Sequence, residues 1–280
     1  MNPRTHLESI YQEIVPTERE IALVQNRIDQ VIGIAECWGD VAEVRPAGSW
    51  AKGTMLRGRK EADVVMVLAR APDSHTLNDI SNYLTRIPGL HGRPTVSYKA
   101  VNLEFYDGVS IDLLPVAKHG RTDDGPSVPR KLRHALAGIE HVGWLKRQAH
   151  GTVLHPLIRL MKHFRDCHER DFHGMSSFAI EVMCVEHGAQ GNIYAAFRGL
   201  LESLHGGWLL PGGVRRRLSD PATPGQDLID KLSVAALGDV SCRAGRAVQA
   251  IDAQTWSQVF PRDRSSLPPP AGNLGGRTLG

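Results

Sequence analysis

Apolar residues recur at helical spacing near the start of the chain. Thr17 followed by Glu20 forms a capping box, in which each side chain accepts a hydrogen bond from the other residue's backbone N–H. The pattern predicts a long amphipathic helix over residues 17–36. The apolar residues that share one face of this helix are Ile21, Val24, Ile28, Val31 and Ile32.

Two apolar runs that follow, at residues 41–44 and 64–68, have the length and composition of β-strands. The second run, VVMVL, is apolar on both faces, as is typical of a central strand that is covered on two sides. We therefore expect a sheet in the first half of the chain, with residues 64–68 near its middle.

Apolar and polar residues alternate on both sides of Asp107-Gly108, in the segment VNLEFYDGVSIDLLPV. Alternation around a turn dipeptide predicts a hairpin with one face in the core. The polar face of this hairpin carries Glu104 on its first strand and Asp112 on its second.

Helical spacing dominates the second half of the chain, with apolar stripes over residues 154–164 and 178–185. The segment 118–130, which separates the two patterns, is rich in Gly, Pro and charged residues. Such a composition predicts a linker or a flexible loop.

The change of pattern divides the chain into three parts. We expect a mixed α/β (α+β) lobe over residues 1–125, which includes the long N-terminal helix, and an α-helical lobe over residues 126–262. Residues 263–280 have too little apolar surface to offset their ordering entropy, so they are expected to form a disordered tail.

Composition narrows the class of protein without selecting a function. With 41% hydrophobic and 22% charged residues in 280, and a net charge of +3, the chain is an ordinary globular protein that can contact phosphates. Its four cysteines include no CxxC pair, which indicates a reducing compartment. No apolar run has the length of a membrane span, and the first residues lack a signal peptide's apolar region. We expect a cytoplasmic or nuclear protein with no membrane partner.

An acidic pair, Glu61 and Asp63, stands at the start of the predicted central strand, after a basic loop that follows Gly48-Ser49. Since side chains alternate along a strand, both carboxylates point to one side, and a paired strand can bring Asp112 beside them. Crowded carboxylates repel unless hard cations neutralise them, and these oxygen ligands suit Mg²⁺ or Mn²⁺. Glycine lets the backbone approach phosphate, and Ser49 adds a hydroxyl donor. The pattern predicts two-metal phosphoryl or nucleotidyl transfer.

The stretches GSWAKGTMLRGRKEADVVMVL and GVSIDLLPV resemble the core of the template-independent nucleotidyltransferases, a group that includes 2′-5′-oligoadenylate synthases, cyclic GMP-AMP synthase and the bacterial CD-NTases. The resemblance implies a bilobed nucleotidyltransferase fold. It implies Glu61, Asp63 and Asp112 as catalytic residues and metal ligands, and Gly48 and Ser49 as a nucleotide-binding turn. Glu61 occupies a position at which the family usually carries Asp.

Two helical stretches extend the resemblance. LIRLMKHF resembles the helix whose lysine holds the donor phosphates, which implies Lys162 as a nucleotide-binding residue. MSSFAIEVM resembles the Ser-aromatic motif that follows that helix, which implies Ser177 on a phosphate and Phe178 stacked on a base.

The implied reaction is attack by a ribose hydroxyl, deprotonated with help from Asp112, on the α-phosphate of a nucleoside triphosphate, with release of pyrophosphate. The implied product is a short signalling oligonucleotide, linear 2′-5′ or cyclic, made chiefly from ATP in antiviral defence. The resemblance is compatible with activation by double-stranded RNA or with constitutive activity, and the activator stays open.

The chain also resembles the DZF domain of nuclear RNA-binding factors, in the stretches HGGWLLPGGVRRRLSDP and LRHALAGIEHVGWL. That resemblance implies a different function, a catalytically inactive module for RNA binding or heterodimerisation. Transferases that tail tRNA or other RNA share the chemistry and differ in the acceptor. Acceptor, base preference, linkage and oligomeric state therefore stay open.

Basic residues near the phosphate turn, Lys52, Arg57 and Arg59, are candidates for contact with a polyanion. The run Arg215-Arg216-Arg217 is a weaker candidate of the same kind. For each of them the alternative is a solvated basic surface.

Overall fold

The structure, a computed structural model, describes residues 2–118, 130–148, 153–211, 217–223 and 225–261. The predicted tail at 263–280 lies outside these residues, as do Arg215, Arg216 and most of the predicted linker at 118–130.

Ten helices and five strands form within the described ranges. The helices are α1 Pro3–Ile14, α2 Glu18–Glu36, α3 Gly48–Ala51, α4 Thr76–Thr85, α5 Arg130–Gln148, α6 Leu154–Cys167, α7 Ser177–His187, α8 Ile193–His205, α9 Val234–Asp252 and α10 Trp256–Val259. The strands are β1 Val41–Ala47, β2 Glu61–Leu68, β3 Gly92–Val96, β4 Val101–Phe105 and β5 Ser110–Ala117.

Helix α2 confirms the predicted N-terminal helix and its capping box. The backbone N–H of Thr17 donates to Glu20 Oε2 at 2.8 Å, and that of Glu20 donates to Thr17 Oγ1 at 3.2 Å. A cap of this kind contributes about 1 kcal/mol to stability. Within the apolar stripe Val24 and Ile28 are fully buried, whereas Ile21, one turn nearer the helix start, is 43% exposed.

The five strands form one mixed sheet in the order β1-β2-β5-β4-β3. Strand β2 runs antiparallel to β1 and parallel to β5, and β4 runs antiparallel to both β5 and β3. The predicted central strand is therefore flanked on both sides, and the predicted hairpin is the pair β4–β5.

The two faces of the sheet are covered by different helices, which explains why β2 is apolar on both sides. Val64 and Met66 point to the face that packs with α2 and α4. Val65 and Val67 point to the opposite face, where Ile139 of α5 packs against them. Asp63 belongs to this second face, two residues before Val65, because side chains alternate along the strand.

A separate apolar core lies among the helices of the second half of the chain. It is built from α6, α7, α8, α9 and α10, and Phe164 of α6 and Phe197 of α8 are among its fully buried side chains. Leu7 and Ile14 of α1 also belong to this core. The first helix of the chain therefore packs against the helical lobe, whereas α5 joins both cores, with Ile139 against the sheet and Leu145 in the helical core.

The described helices include none that combines the length and the apolar character needed to cross a membrane. The predicted lobe boundary at residue 125 lies outside the described residues and stays a prediction.

Candidate active site

Two of the three predicted carboxylates come together on neighbouring parallel strands. Asp63 of β2 and Asp112 of β5 are direct partners in the strand register. Residues paired in this way project to the same face of a sheet, so the two carboxylates lie side by side. Both side chains are partly buried. The predicted pairing of β2 with the strand that carries Asp112 is therefore found.

Glu61 takes a different position from the other two carboxylates. It is the first residue of β2, it pairs in register with Ser110, and it is exposed. Its charge still acts on Asp63, whose pKa it helps to raise. In the part of the chain that the structure describes, no group of three or more His, Cys, Asp or Glu side chains is close enough to hold a metal ion. The structure thus brings together a carboxylate pair, and Glu61 as a third ligand stays a prediction.

The electrostatics of Asp63 favour a cation beside it. Burial and the neighbouring Asp112 raise the pKa of Asp63, while the charges of Lys99 and Lys52 act in the opposite direction. A carboxylate whose ionised form is disfavoured by burial and by a second carboxylate gains stability when a cation binds between them. Mg²⁺ often takes only one or two protein carboxylates, with water and substrate phosphates as its other ligands. The pair of Asp63 and Asp112 fits this requirement.

Gly48 lies directly against the carboxylate of Asp63. Its φ is +68°, and a Cβ atom at this position would stand 1.8 Å from Asp63 Oδ2. Only glycine combines the left-handed backbone with room for that oxygen. The structure therefore places Gly48 beside the carboxylate pair. Ser49 follows in α3, and its carbonyl accepts the backbone N–H of Thr54 at 2.8 Å. Phosphate binding by Gly48 and Ser49 stays a prediction.

Asn102 is a residue of this site that sequence analysis missed. It pairs in register with Asp112, and its Nδ2 donates to Asp112 Oδ1 at 2.9 Å and to Ser110 Oγ at 2.8 Å. The alternation in β4 placed Asn102 on the same face as Glu104, so the signal was present. Glu104 itself is exposed and pairs with Ser110. The donor that faces Asp112 is therefore an amide, which fixes the carboxylate instead of repelling it.

A second group of charged side chains surrounds Glu181 of α7. Glu181 on α7 is fully buried and accepts hydrogen bonds from Lys52 Nζ at 2.5 Å, Lys162 Nζ at 2.6 Å and Thr54 Oγ1 at 2.9 Å. Lys162 Nζ also donates to Thr54 Oγ1 at 2.8 Å. We call these four residues the lysine cluster. Lys52 also acts on Asp63, so it connects the cluster with the carboxylate pair.

Protonation within the lysine cluster follows from burial and proximity. Burial by itself raises the pKa of Glu181, but the ammonium groups of Lys162 and Lys52 outweigh that effect and the net pKa is lowered. Burial lowers the pKa of Lys162, and Glu181 opposes this change. The carboxylate of Glu181 is therefore ionised and serves as the counter-ion of both lysines. Sequence analysis missed Glu181, although a single acid inside the apolar run FAIEVMCV is an unusual pattern.

The predicted phosphate and base contacts on α7 lie next to this cluster. Ser176 is the N-cap of α7, and its side chain accepts the backbone N–H of Ala179 at 3.0 Å. Ser177 Oγ accepts a hydrogen bond from Arg165 Nη1 at 2.9 Å. Lys52 Nζ stands 4.9 Å from the centre of the Phe178 ring. Nucleotide binding by Lys162, Ser177 and Phe178 stays a prediction.

His141 of α5 stacks on the ring of Phe178, with ring centres 3.7 Å apart. Its Nε2 lies 2.8 Å from Oδ1 of Asp220, a buried residue of the segment that follows α8. In this structure an imidazole therefore covers Phe178, the side chain for which a nucleobase partner was expected.

The three basic residues proposed for polyanion contact each have an acidic neighbour. Lys52 is buried in the lysine cluster, Arg57 Nε lies 4.0 Å from Glu20, and Arg59 Nη2 lies 3.4 Å from Asp166. Contact of these residues with a polyanion stays a prediction.

No protein-family model matches the chain. A curated relative, the CCA-adding enzyme of Nanoarchaeum equitans (strain Kin4-M), is 24% identical over 194 residues, which make up 65% of this chain and 45% of that protein. The chain thus spans less than half the length of this relative.

Several solved structures share the architecture. CdnC of E. coli MS115-1, in its complex with HORMA-deltaN, superposes with a TM-score of 0.71 at 16% identity and covers 92% of this chain and 96% of that chain. The CD-NTase CdnG of Bradyrhizobium diazoefficiens, in complex with GTP, gives 0.69 at 16% identity, over 93% and 96%. Cid1, solved in a study of its RNA terminal uridylyl transferase activity, gives 0.65 at 12% identity, over 92% and 97%. The chain therefore shares the mixed α/β fold of CdnC, CdnG and Cid1, a fold of the kind that the resemblance in its sequence implied.

Proposed function

We propose that the protein is a nucleotidyltransferase that joins nucleoside triphosphates, chiefly ATP, into a short signalling oligonucleotide, linear 2′-5′ or cyclic, with release of pyrophosphate. The observation that carries this proposal is the register pair of Asp63 and Asp112, with Gly48 packed against the carboxylate of Asp63. A module for binding or dimerisation has no physical need for two partly buried carboxylates that repel each other.

Divalent cations are part of the proposal. Asp63 and Asp112 would hold Mg²⁺ or Mn²⁺, with Glu61 as the proposed third ligand. The bound ion would neutralise charge on the transferred phosphoryl group and the leaving pyrophosphate. The raised pKa of Asp63 supports this assignment, because burial and the neighbouring Asp112 both disfavour its ionised form, and a bound cation would offset both effects.

The chain's own residues supply positioning and proton transfer. Asp112, held through Oδ1 by Asn102, accepts the proton of the attacking ribose hydroxyl. Gly48 and Ser49 lie close to the triphosphate, where a backbone without a Cβ allows close approach. Lys52 and Lys162 carry positive charge next to that turn and neutralise the phosphates. Phe178 provides a ring for the base, once His141 has moved from its face.

The choice of acceptor separates two versions of this function. CdnC and CdnG, which share the fold, were solved with ATP and with GTP, and this supports nucleoside triphosphates as substrates. A signalling oligonucleotide made without an RNA acceptor, an antiviral role and double-stranded RNA as activator are proposed from the resemblance in sequence. The CCA-adding relative and the Cid1 structures favour instead the addition of nucleotides to an RNA end. We favour the first version because the stretches GSWAKGTMLRGRKEADVVMVL and GVSIDLLPV resemble the core of the oligonucleotide synthases. A cytoplasmic location, expected from the cysteine usage, belongs to the same proposal.

Product analysis tests this function. The purified protein is incubated with labelled ATP and Mg²⁺, alone, with double-stranded RNA, and with a short single-stranded RNA, and the products are identified by mass spectrometry and nuclease digestion. We expect short oligoadenylate without any RNA acceptor, and none from the Asp112→Asn variant. If the added RNA is extended and no free oligonucleotide forms, the protein is an RNA-tailing transferase and the proposed oligonucleotide synthesis is wrong. A folded protein that releases no pyrophosphate under any condition but binds RNA or a partner would refute the enzyme in favour of the DZF-like module.

A further inference from the structure

Burial of the charged groups of the lysine cluster has a large desolvation cost. Lys52, Lys162 and Glu181 are 7%, 3% and 0% exposed, and charged groups lose favourable hydration when they are buried. Well-packed apolar residues of similar volume stabilise a core as well as a buried ion pair does, or better. The retention of three buried charges and a hydroxyl at one point therefore indicates a task other than stability.

The position of the cluster indicates what that task is. Its members come from the segment after α3, from α6 and from α7, so three separate elements meet at Glu181. Two ammonium groups face one carboxylate, which leaves the cluster with one excess positive charge. Lys52 directly follows the short helix α3, whose first residue, Gly48, lies against the carboxylate of Asp63, so this excess charge lies close to the carboxylate pair.

Glu181 also solves a geometric problem. Two ammonium groups that approach the same point repel, and the charge of Lys52 already acts to lower the pKa of Lys162. The two oxygens of Glu181 hold the two ammonium groups at different points, since Oε2 accepts a hydrogen bond from Lys52 and Oε1 accepts one from Lys162. Thr54 also fixes the position of Lys162, because its hydroxyl accepts a hydrogen bond from Lys162 and donates one to Glu181. Both ammonium groups are thus held in set directions.

We propose that Glu181 is a positioning residue for nucleotide binding: it holds the ammonium groups of Lys52 and Lys162 side by side as a preorganised cationic pair for the triphosphate of the donor nucleotide. This inference rests on the proposed function, because it takes the lysines to face a nucleoside triphosphate. Charges fixed before the ligand arrives stabilise it without a cost of reorganisation at binding.

The substitution Glu181→Gln tests this role, because it keeps the shape of the side chain and one oxygen but removes the charge. We expect the KM for Mg·ATP to rise roughly tenfold or more, since charge-assisted hydrogen bonds to both lysines are lost. The kcat changes less, because the carboxylate pair is untouched. Metal-free tripolyphosphate, titrated by calorimetry, should bind the variant more weakly by a similar factor, and this measurement does not require catalysis.

The pH profile supplies a readout that a merely structural residue would not move. The charged groups that act on Lys162 are Glu181, Lys52 and Arg165, and the thiol of Cys184 lies close to the same cluster. His155 of α6 is near Glu181. Without the carboxylate of Glu181 the pKa of Lys162 falls further, and its ammonium group loses its proton as pH rises. Binding of Mg·ATP by the variant should therefore weaken as pH rises, and more steeply than binding by the wild type.

Matched variants separate charge from packing. Glu181→Asp keeps the carboxylate and should recover most of the wild-type pH profile, although it shortens the side chain. Thr54→Val removes the bridging hydroxyl at nearly constant volume and should raise KM by a smaller factor, with Thr54→Ser as its control. Glu169→Gln makes the same chemical change at an exposed position of the helical lobe and should leave KM unchanged. If Glu181→Gln does not fold, the comparison of KM between Thr54→Val and Thr54→Ser still tests the inference.

Three outcomes would overturn the inference. In the first, Glu181→Gln folds and retains the wild-type KM and pH profile. In the second, it binds nucleotide and tripolyphosphate more tightly than the wild type, as expected if Glu181 competes with the ligand for the lysines. In the third, it loses kcat and thermal stability together with no change in KM. A wild-type protein that binds tripolyphosphate in a Glu181-dependent way but releases no pyrophosphate would refute the proposed function and leave the lysine cluster as an anion site.

Discussion

Substitution of Gly48 by alanine should damage activity far more than it damages stability. The residue has a φ of +68°, a region that costs a residue with a Cβ roughly 1–2 kcal/mol. The added methyl would also lie 1.8 Å from Asp63 Oδ2, whereas real contacts of a Cβ atom essentially never fall below 3.0 Å. The carboxylate of Asp63, or the turn itself, must therefore move by about 1.2 Å.

The size of the expected effect follows from that displacement. A 1 Å misplacement of a reacting group can reduce a rate roughly 100-fold, because proximity and orientation supply much of the catalysis. We expect Gly48→Ala to lose about 1–2 kcal/mol in the free energy of unfolding, from the backbone strain. Its kcat should fall roughly 100-fold, from the displaced carboxylate.

Gly89→Ala is the matched control. Gly89 has a φ of +77°, and a Cβ atom there would meet nothing within 4 Å. This variant should lose a similar free energy of unfolding in urea and keep the wild-type rate of pyrophosphate release from ATP. If Gly48→Ala and Gly89→Ala lose equal stability and keep equal activity, the contact between Gly48 and Asp63 has no catalytic importance, and the assignment of the site is wrong.

Two further predictions concern the carboxylate pair itself. Because the pKa of Asp63 is raised by burial and by Asp112, its ionisation destabilises the metal-free protein as pH rises through that pKa. Asp63→Asn should therefore raise the free energy of unfolding in urea by about 1 kcal/mol at pH 8, with little gain at pH 4, and it should abolish activity. A stability that is equal to or below the wild type at pH 8 would contradict the assigned electrostatics. Asn102→Leu removes the donor to Asp112 Oδ1 and should lower kcat roughly 10-fold with little change in KM for nucleotide, measured by steady-state kinetics; an unchanged kcat would remove Asn102 from the site.

The parts of the fold that the sequence predicted are those with strong local patterns. The capping box at Thr17 and Glu20 and the apolar run of β2 depend on neighbouring residues, and both are found where they were expected. Helix α1 was not predicted, although Asn2 stands at its N-cap and Pro3 in its first turn. Its burial depends on contact with α6 and α8, which no local pattern reveals.

The parts of the site that were missed depend on register and on distant partners. Alternation predicted Glu104 on the face of Asp112, but the hairpin register places Asn102 opposite Asp112 and Glu104 two residues away. Glu181 meets Lys52 from a distance of 129 positions along the chain, so its sequence neighbours carry no sign of the ion pair. The pairing of β2 with the strand that carries Asp112 was predicted, but its parallel direction, across three intervening elements, is a property of the whole sheet.

The most direct test of the account is Mg²⁺-dependent release of pyrophosphate from ATP by the wild type, Asp63→Asn, Asp112→Asn and, as a control, Glu43→Gln. Glu43 is an exposed acid of β1 paired with Arg45, away from the carboxylate pair. The account predicts release by the wild type and the control, and release below about one thousandth of that rate by each of the two aspartate variants, whose carboxylates act on the same reacting group. Equal release by all four proteins, or none by a folded wild type with any nucleoside triphosphate and either Mg²⁺ or Mn²⁺, would contradict it.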